Sequence, residues 1–185
     1  MNIPSVPQFG GVVQFAYTTS DIRQGMRDYT ARLGIGPWFL TGPFSPKLAR
    51  YRGQPTDISL SLAVGFAGHV MVELIEQHND VPSVYRETVS RRGHGFHHWG
   101  ICSADFDADL ARYSASGYQE VFSDVSPRGV RIVYVEGPGE LPGMIEIIES
   151  TPQLQDIYLS YYEAARNWDG SDPIRVWPGR QPVRR

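Results

Sequence analysis

Four polar side chains stand inside runs that otherwise read as buried strands. Gln14 lies in Val12-Val13-Gln14-Phe15-Ala16-Tyr17, and Glu73 in Met71-Val72-Glu73-Leu74-Ile75. His98 lies in Gly95-Phe96-His97-His98-Trp99-Gly100-Ile101-Cys102, and Glu146 in Met144-Ile145-Glu146-Ile147-Ile148. A carboxylate in such a run is costly to bury unless it is paired or bound to a cation. One imidazole nitrogen, two carboxylates and one amide oxygen suit a hard or borderline divalent ion: zinc, nickel, cobalt, manganese or iron. Taken singly, each signal is weak. A lone strand glutamate usually sits at an edge or faces solvent, and a histidine beside another is usually a packed core residue. Neighbours on a strand point to opposite faces, so only one of His97 and His98 is expected to face such a site.

The weight lies in a repeat. Seven residues after Gln14 comes Asp21, before a helical pattern, and seven after His98 comes Asp105, before another. Met71-Val72-Glu73-Leu74-Ile75-Glu76 closes the first unit and Met144-Ile145-Glu146-Ile147-Ile148-Glu149 the second. Gln14 and Glu73 are 59 residues apart, His98 and Glu146 48. A two-fold, degenerate repeat implies two paired modules rather than a solenoid. Paired about a pseudo-two-fold axis, the first and last strand of each module would supply one residue apiece to a shared site.

The elements that must position these residues follow from periodicity. The first unit, residues 11–77, reads as a strand at Val12–Thr18, a helix capped by Ser20, and strands at Trp38–Thr41, Asp57–Phe66 and His69–Glu76. Ile22, Met26, Tyr29 and Leu33 give its helix one apolar face. The second unit, residues 96–150, reads as a strand at His97–Ser103, a helix from Asp105 to Ser116 with Phe106, Leu110 and Tyr113 on one face, and strands at Gln119–Ser123, Val130–Glu136 and Gly143–Glu149. Residues 78–95 link the two, with a short helix over Ser83–Arg92. Residues 1–10 form a Pro-rich arm. Residues 151–185 form a C-terminal helix, Leu154–Trp168, and an aromatic tail with Trp177 that packs on its own domain, a partner or the mouth of a cavity. Residues 42–53 are a Pro/Gly-punctuated insertion; Lys47, Arg50 and Arg52 make it either a solvated loop or a phosphate- or carboxylate-binding one.

Composition narrows the classes. A chain of 185 residues, 41% hydrophobic, suits one domain or two modules sharing a core. A net charge of −3 without a basic stripe argues against nucleic acid. The single cysteine, Cys102, excludes an internal disulfide framework, and its place on a core strand implies a buried, inert thiol. No signal peptide and no membrane-length apolar run is evident. The expectation is a soluble cytoplasmic protein.

These residues resemble the vicinal oxygen chelate superfamily, which includes glyoxalase I, methylmalonyl-CoA epimerase, extradiol dioxygenases and the bleomycin-resistance proteins. The resembling stretch runs from Gly11 to Glu149. Gly-Phe-His-His-Trp-Gly-Ile resembles the third ligand strand and maps the ligand onto His98. Val-Glu-Leu-Ile and Ile-Glu-Ile-Ile resemble the second and fourth, mapping onto Glu73 and Glu146, and the first position falls on Gln14. The Gln-Glu-His-Glu set resembles that of one class of glyoxalase I. The resemblance implies an α+β fold of two paired βαβββ modules forming a cupped, eight-stranded mixed sheet around a divalent metal ion, here followed by a C-terminal helix and tail. It also implies a homodimer.

The activity implied is that of a metal-dependent isomerase, epimerase or lyase, which enolises a small-molecule carbonyl or acyl-thioester substrate. Glu73 and Glu146 would be its acid and base. Two alternatives stand beside it. An iron(II) extradiol-type dioxygenase needs two histidines and one carboxylate, whereas here Gln14 replaces a histidine and Glu73 adds a carboxylate. A metal-free binding protein of the resistance type would sequester a ligand in the same cup without needing the ligand set.

Overall fold

The computed structural model describes residues 11–126 and 128–176. The expected N-terminal arm and Trp177 lie outside the described residues. In chain order the elements are β1 (Val12–Thr18), α1 (Ile22–Leu33), β2 (Trp38–Phe44), β3 (Arg50–Tyr51), β4 (Gln54–Pro55), β5 (Leu60–Ala67), β6 (Val70–Gln77) and α2 (Val84–Arg92). Then come β7 (Gly95–Ser103), α3 (Phe106–Ala115), β8 (Gln119–Val125), β9 (Arg131–Glu136), β10 (Met144–Glu149), α4 (Pro152–Arg166) and β11 (Ile174–Val176).

The strands form one open mixed sheet in the order β11-β2-β5-β6-β1-β7-β10-β9-β8-β3-β4. β1 runs parallel to β6, β7 runs parallel to β10, and β1 meets β7 antiparallel at the centre. The repeat is therefore visible in the strand order, as β2-β5-β6-β1 against β7-β10-β9-β8. The eight expected strands are joined by three more. β11 extends the β2 edge. The β3–β4 ribbon starts in the 42–53 insertion and ends just beyond it, and its β3 crosses to pair with β8 of the other half.

Register carries the symmetry to single residues. Gln14 pairs with Met71, two residues before Glu73, and His98 pairs with Met144, two residues before Glu146. Across the seam Gln14 pairs with Gly100 and Ala16 pairs with His98. Each first-strand polar residue thus faces a small residue two positions beyond the other. A Cβ on Gly100 would lie 2.9 Å from the Gln14 Cβ and 3.4 Å from Glu146 Oε2, so this approach needs glycine for space.

Both module helices start on an aspartate cap. Asp21 accepts from the Gln24 N–H and Asp105 from the Ala108 N–H. The cap of the first helix is therefore Asp21, not Ser20, because the carboxylate that meets the free N–H groups belongs to the later residue. α1 packs Ile22 and Met26 on Val72 and Leu74, while Leu33, at the last turn, stays exposed. α3 packs Phe106 on Ile145 and Ile147. These strand residues alternate with Glu73 and Glu146, so both helices cover the back of the sheet and the carboxylates face the cup.

The cup is filled from two sides. Val84 and Tyr85 of α2 enter a cluster with Ala16, Ile75, Tyr134 and Met144. α4 lies across the other end, packing Tyr161 and Tyr162 on Val13, Phe66, Met71, Cys102 and Ile148. The C-terminal helix thus packs on its own sheet. Tyr161 stacks on Phe39 with ring centroids 3.9 Å apart, and Tyr162 hydrogen-bonds His69 Nδ1 at 2.7 Å. Trp38 is fully buried behind the sheet with α1, its indole donating to Thr30. No helix among the described residues is long and apolar enough to cross a membrane.

The close contact at Gly100 generates a prediction. Gly100→Ala is expected to destabilise the fold by about 1–3 kcal/mol, as overpacking does, read as a lower urea midpoint at unchanged m-value.

Candidate metal centre

Gln14, Glu73, His98 and Glu146 come from four adjacent central strands, β1, β6, β7 and β10, and all four are buried. Ligand atoms of Glu73, His98 and Glu146 all lie within 4.8 Å of one another. His98 Nε2 is 3.0 Å from Glu146 Oε2 and 3.7 Å from Glu73 Oε2. Metal–ligand bonds of roughly 2.1 Å put the ligand atoms of one ion about 3–4 Å apart, so these spacings fit a shared cation. Gln14 donates its amide N–H to Glu73 Oε2 at 2.8 Å, so its oxygen reaches an ion only if the amide turns.

The decisive feature is what His98 Nε2 and Glu146 Oε2 lack. Both are shielded from water and neither has a hydrogen-bond partner, although they face one another. The reason lies on the other side of the imidazole. His98 Nδ1 sits 2.9 Å from His97 Nδ1, so one ring must donate to the other. His97 Nε2, like His98 Nε2, is buried without a hydrogen-bond partner. With His98 donating from Nδ1 to His97, His98 Nε2 carries its lone pair toward Glu146. Two lone-pair donors facing each other in an apolar interior are reconciled by a proton or a cation between them.

His97 reaches this place through a β-bulge. Ala16 pairs with His98 but Tyr17 pairs with Phe96, leaving His97 as the extra residue on β7. Both histidines are fully buried, but only His98 joins Glu73 and Glu146; the bulge sets His97 behind the His98 ring. The His97 ring stacks on Tyr85 at 4.9 Å. Burial first, and the neighbouring His98 second, hold His97 well below the ordinary imidazole range, so it stays neutral.

Burial first, then the charge of Glu146, push Glu73 well above the ordinary carboxyl range, with the Gln14 amide opposing. Tyr134 lies 4.8 Å from the His98 ring and accepts from the Tyr85 hydroxyl. Burial and the charge of Glu146 hold its phenol protonated. Cys102 is buried, its thiol pushed up to about 12, as expected of an inert core cysteine.

A family model described as Glyoxalase/Bleomycin resistance protein/Dioxygenase superfamily matches residues 13–134. The chain belongs to this superfamily. Among solved structures, a similar fold is found in a hypothetical protein of Bacillus halodurans (TM-score 0.55, 16% identity, 77% of this chain and 96% of that one). It recurs in methylmalonyl-CoA epimerase of Mycobacterium tuberculosis (TM-score 0.54, 15% identity, 84% and 97%). A Streptomyces coelicolor methylmalonyl-CoA epimerase variant in complex with 2-nitronate-propionyl-CoA gives TM-score 0.51 and 17% identity over 78% and 97%. At such identities the likeness is one of fold. No curated protein matches.

The insertion differs from most of what its cations suggest. Arg52 is held by Glu87 at 2.9 Å and Glu136 at 3.1 Å, with Arg91 bridging the same two carboxylates. Arg50 donates to the Gly53 carbonyl, and Lys47 is exposed. Arg52 therefore ties the ribbon to α2 and β9 and is not free to meet a phosphate. Sequence reasoning missed His97, Tyr85 and Tyr134 as parts of the centre. The small residues Ala16 and Gly100, two positions after Gln14 and His98, were a legible signal for close strand approach.

The raised Glu73 carboxyl sets a sign for pH. A carboxyl whose folded value exceeds its unfolded one favours the fold below the unfolded value, about 4.3, and loses that contribution as pH rises through the folded value. Chelator-treated protein is therefore expected to gain thermal stability from Glu73→Gln, with the difference between variant and wild type widening as pH rises from about 4 toward neutrality. Scanning calorimetry at several pH values checks this.

Proposed function

We propose that this superfamily member is a metal-dependent isomerase, epimerase or lyase acting on a carbonyl or acyl-thioester substrate by enolisation. The observation that carries the reading is the unpartnered His98 Nε2 facing the unpartnered Glu146 Oε2, with Glu73 closing the group. Glu73, His98 and Glu146 would hold a divalent ion, with Gln14 completing the set. When bound, the ion supplies Lewis-acid polarisation of a carbonyl oxygen.

The chain's own residues do the rest. A carboxylate oxygen of Glu73 or Glu146 takes the proton from the carbon next to the carbonyl. The C–H electron pair passes into the enolate, and return of a proton to the opposite face, or to another atom, gives the product. Two carboxylates from matched strands lie on either side of His98, which suits a substrate deprotonated on one face and reprotonated on the other. The surrounding apolar packing excludes water, which strengthens the electrostatic terms. His97 fixes the orientation of the His98 ring, as outer partners of metal-binding histidines do. A methylmalonyl thioester is the first substrate to try, given the epimerases of like fold. The saturated Arg52 gives no support for a phosphate-bearing carrier in particular.

Protein purified without a tag is expected to carry about one divalent ion per chain by plasma mass spectrometry, with His98→Ala losing it. His97→Ala is expected to weaken metal affinity by about 10–100-fold, read by competition with a chromogenic chelator. Glu73→Gln and Glu146→Gln are each expected to lower turnover by at least about 100-fold while circular dichroism stays native. Full activity in both would overturn the acid–base assignment. Failure to bind zinc, nickel, cobalt, manganese or iron(II) would make the cup a metal-free binding site instead. A homodimer is part of the same proposal, and sedimentation equilibrium measures it.

A further inference from the structure

α4 lies across the face of the sheet that carries the centre. Val13 adjoins Gln14, and Met71 and Ile148 each lie two residues from Glu73 and Glu146 on the same strands, with Cys102 four from His98. Residues two or four apart on a strand share a face, so α4 roofs the carboxylates and the imidazole. Its three tyrosines have different employment. Tyr161 stacks on Phe39, and the Tyr162 hydroxyl is bonded to His69. Tyr158 packs into the same cluster, and among the described residues no hydrogen bond engages its hydroxyl.

We propose that Tyr158 is a substrate-contacting residue of this centre, donating its phenolic hydrogen bond to the substrate oxygen that gains negative charge. The proposal rests on the metal-centre reading above and adds a donor from outside the two repeated modules. Burial, followed by the charges of Cys102, Glu146 and Glu73, holds the phenol well above its ordinary range. It is therefore a donor throughout the neutral range. α1 and α3 cover the back of the sheet, so neither can offer such a group to the site. Specificity for an oxygen-rich carbonyl compound would then depend on the C-terminal helix.

The test uses the full chain loaded with cobalt(II) and titrated with oxalate, a planar dioxygen mimic of an enolate, followed by the visible absorption of the ion. Tyr158→Phe is expected to bind cobalt with wild-type stoichiometry and to weaken oxalate by about tenfold or more, the loss typical of a hydrogen bond to a charged group. Tyr162→Phe, which removes a hydroxyl engaged by His69, is expected to leave oxalate affinity unchanged. Cobalt binding with equal oxalate affinity in Tyr158→Phe and wild type overturns the role of Tyr158 and leaves the metal centre standing. An equal loss in Tyr162→Phe overturns it too, since the effect would then be one of helix packing. No cobalt binding by wild type overturns the metal reading and this inference with it.

Discussion

The structure turns on two carboxylates and an imidazole brought together without water. Glu73 and Glu146 sit on the second and fourth of the four central strands' ligand positions, and His98 Nε2 lies 3.0 Å from one and 3.7 Å from the other. Like charges this close in a dry interior oppose folding unless a proton or a cation stands among them. The cost is tolerated because the backbone leaves no alternative. The register that buries Met71, Ile75, Met144 and Ile148 on the cup face necessarily carries Glu73 and Glu146 with them. Sliding either strand by one residue would turn the carboxylate under α1 or α3 and break the apolar packing on both faces.

Symmetry explains why the group has this composition. The seam between β1 and β7 pairs Gln14 with Gly100 and His98 with Ala16, so each module contributes one polar residue and one small residue to the middle of the sheet. The two modules are not equal, however. Gln14 meets Glu73 through a hydrogen bond, whereas His98 meets Glu146 with both atoms unpartnered. Both strands bulge at the residue before the ligand position, Val13 on β1 and His97 on β7, and the difference is that β7 carries there an imidazole, set against the back of His98. One half of the centre is thus self-satisfied and the other half is left open to a ligand.

The additions to the paired modules close the cup. α2 brings Tyr85 under the His97 ring, and the β3–β4 ribbon of the first half pairs with β8 of the second. α4 covers the opposite end with tyrosines. Surface ion pairs such as Arg52 with Glu87 and Glu136 contribute little individually. Their value is geometric, since they hold the ribbon, α2 and β9 in one arrangement.

Much of this was legible in the chain itself. Alternation in Met-Val-Glu-Leu-Ile and Met-Ile-Glu-Ile-Ile placed the carboxylates on a buried face, because a strand has a side-chain period of two and nothing else in those runs is polar. The spacing from Gln14 to Asp21 and from His98 to Asp105 marked the repeat, because a strand of fixed length must hand over to a helix cap at a fixed distance. Local rules end where contact begins. That His97 joins His98 depended on a one-residue mismatch between β7 and β1, which belongs to the pair of strands and to neither alone. That Arg52 is consumed by Glu87 and Glu136, and that α4 roofs the centre, depended on packing between segments 35 to more than 80 residues apart. Sequence determined which groups would be buried together; tertiary structure decided which of their atoms are left without partners, because hydrogen-bond satisfaction is a property of the assembled neighbours.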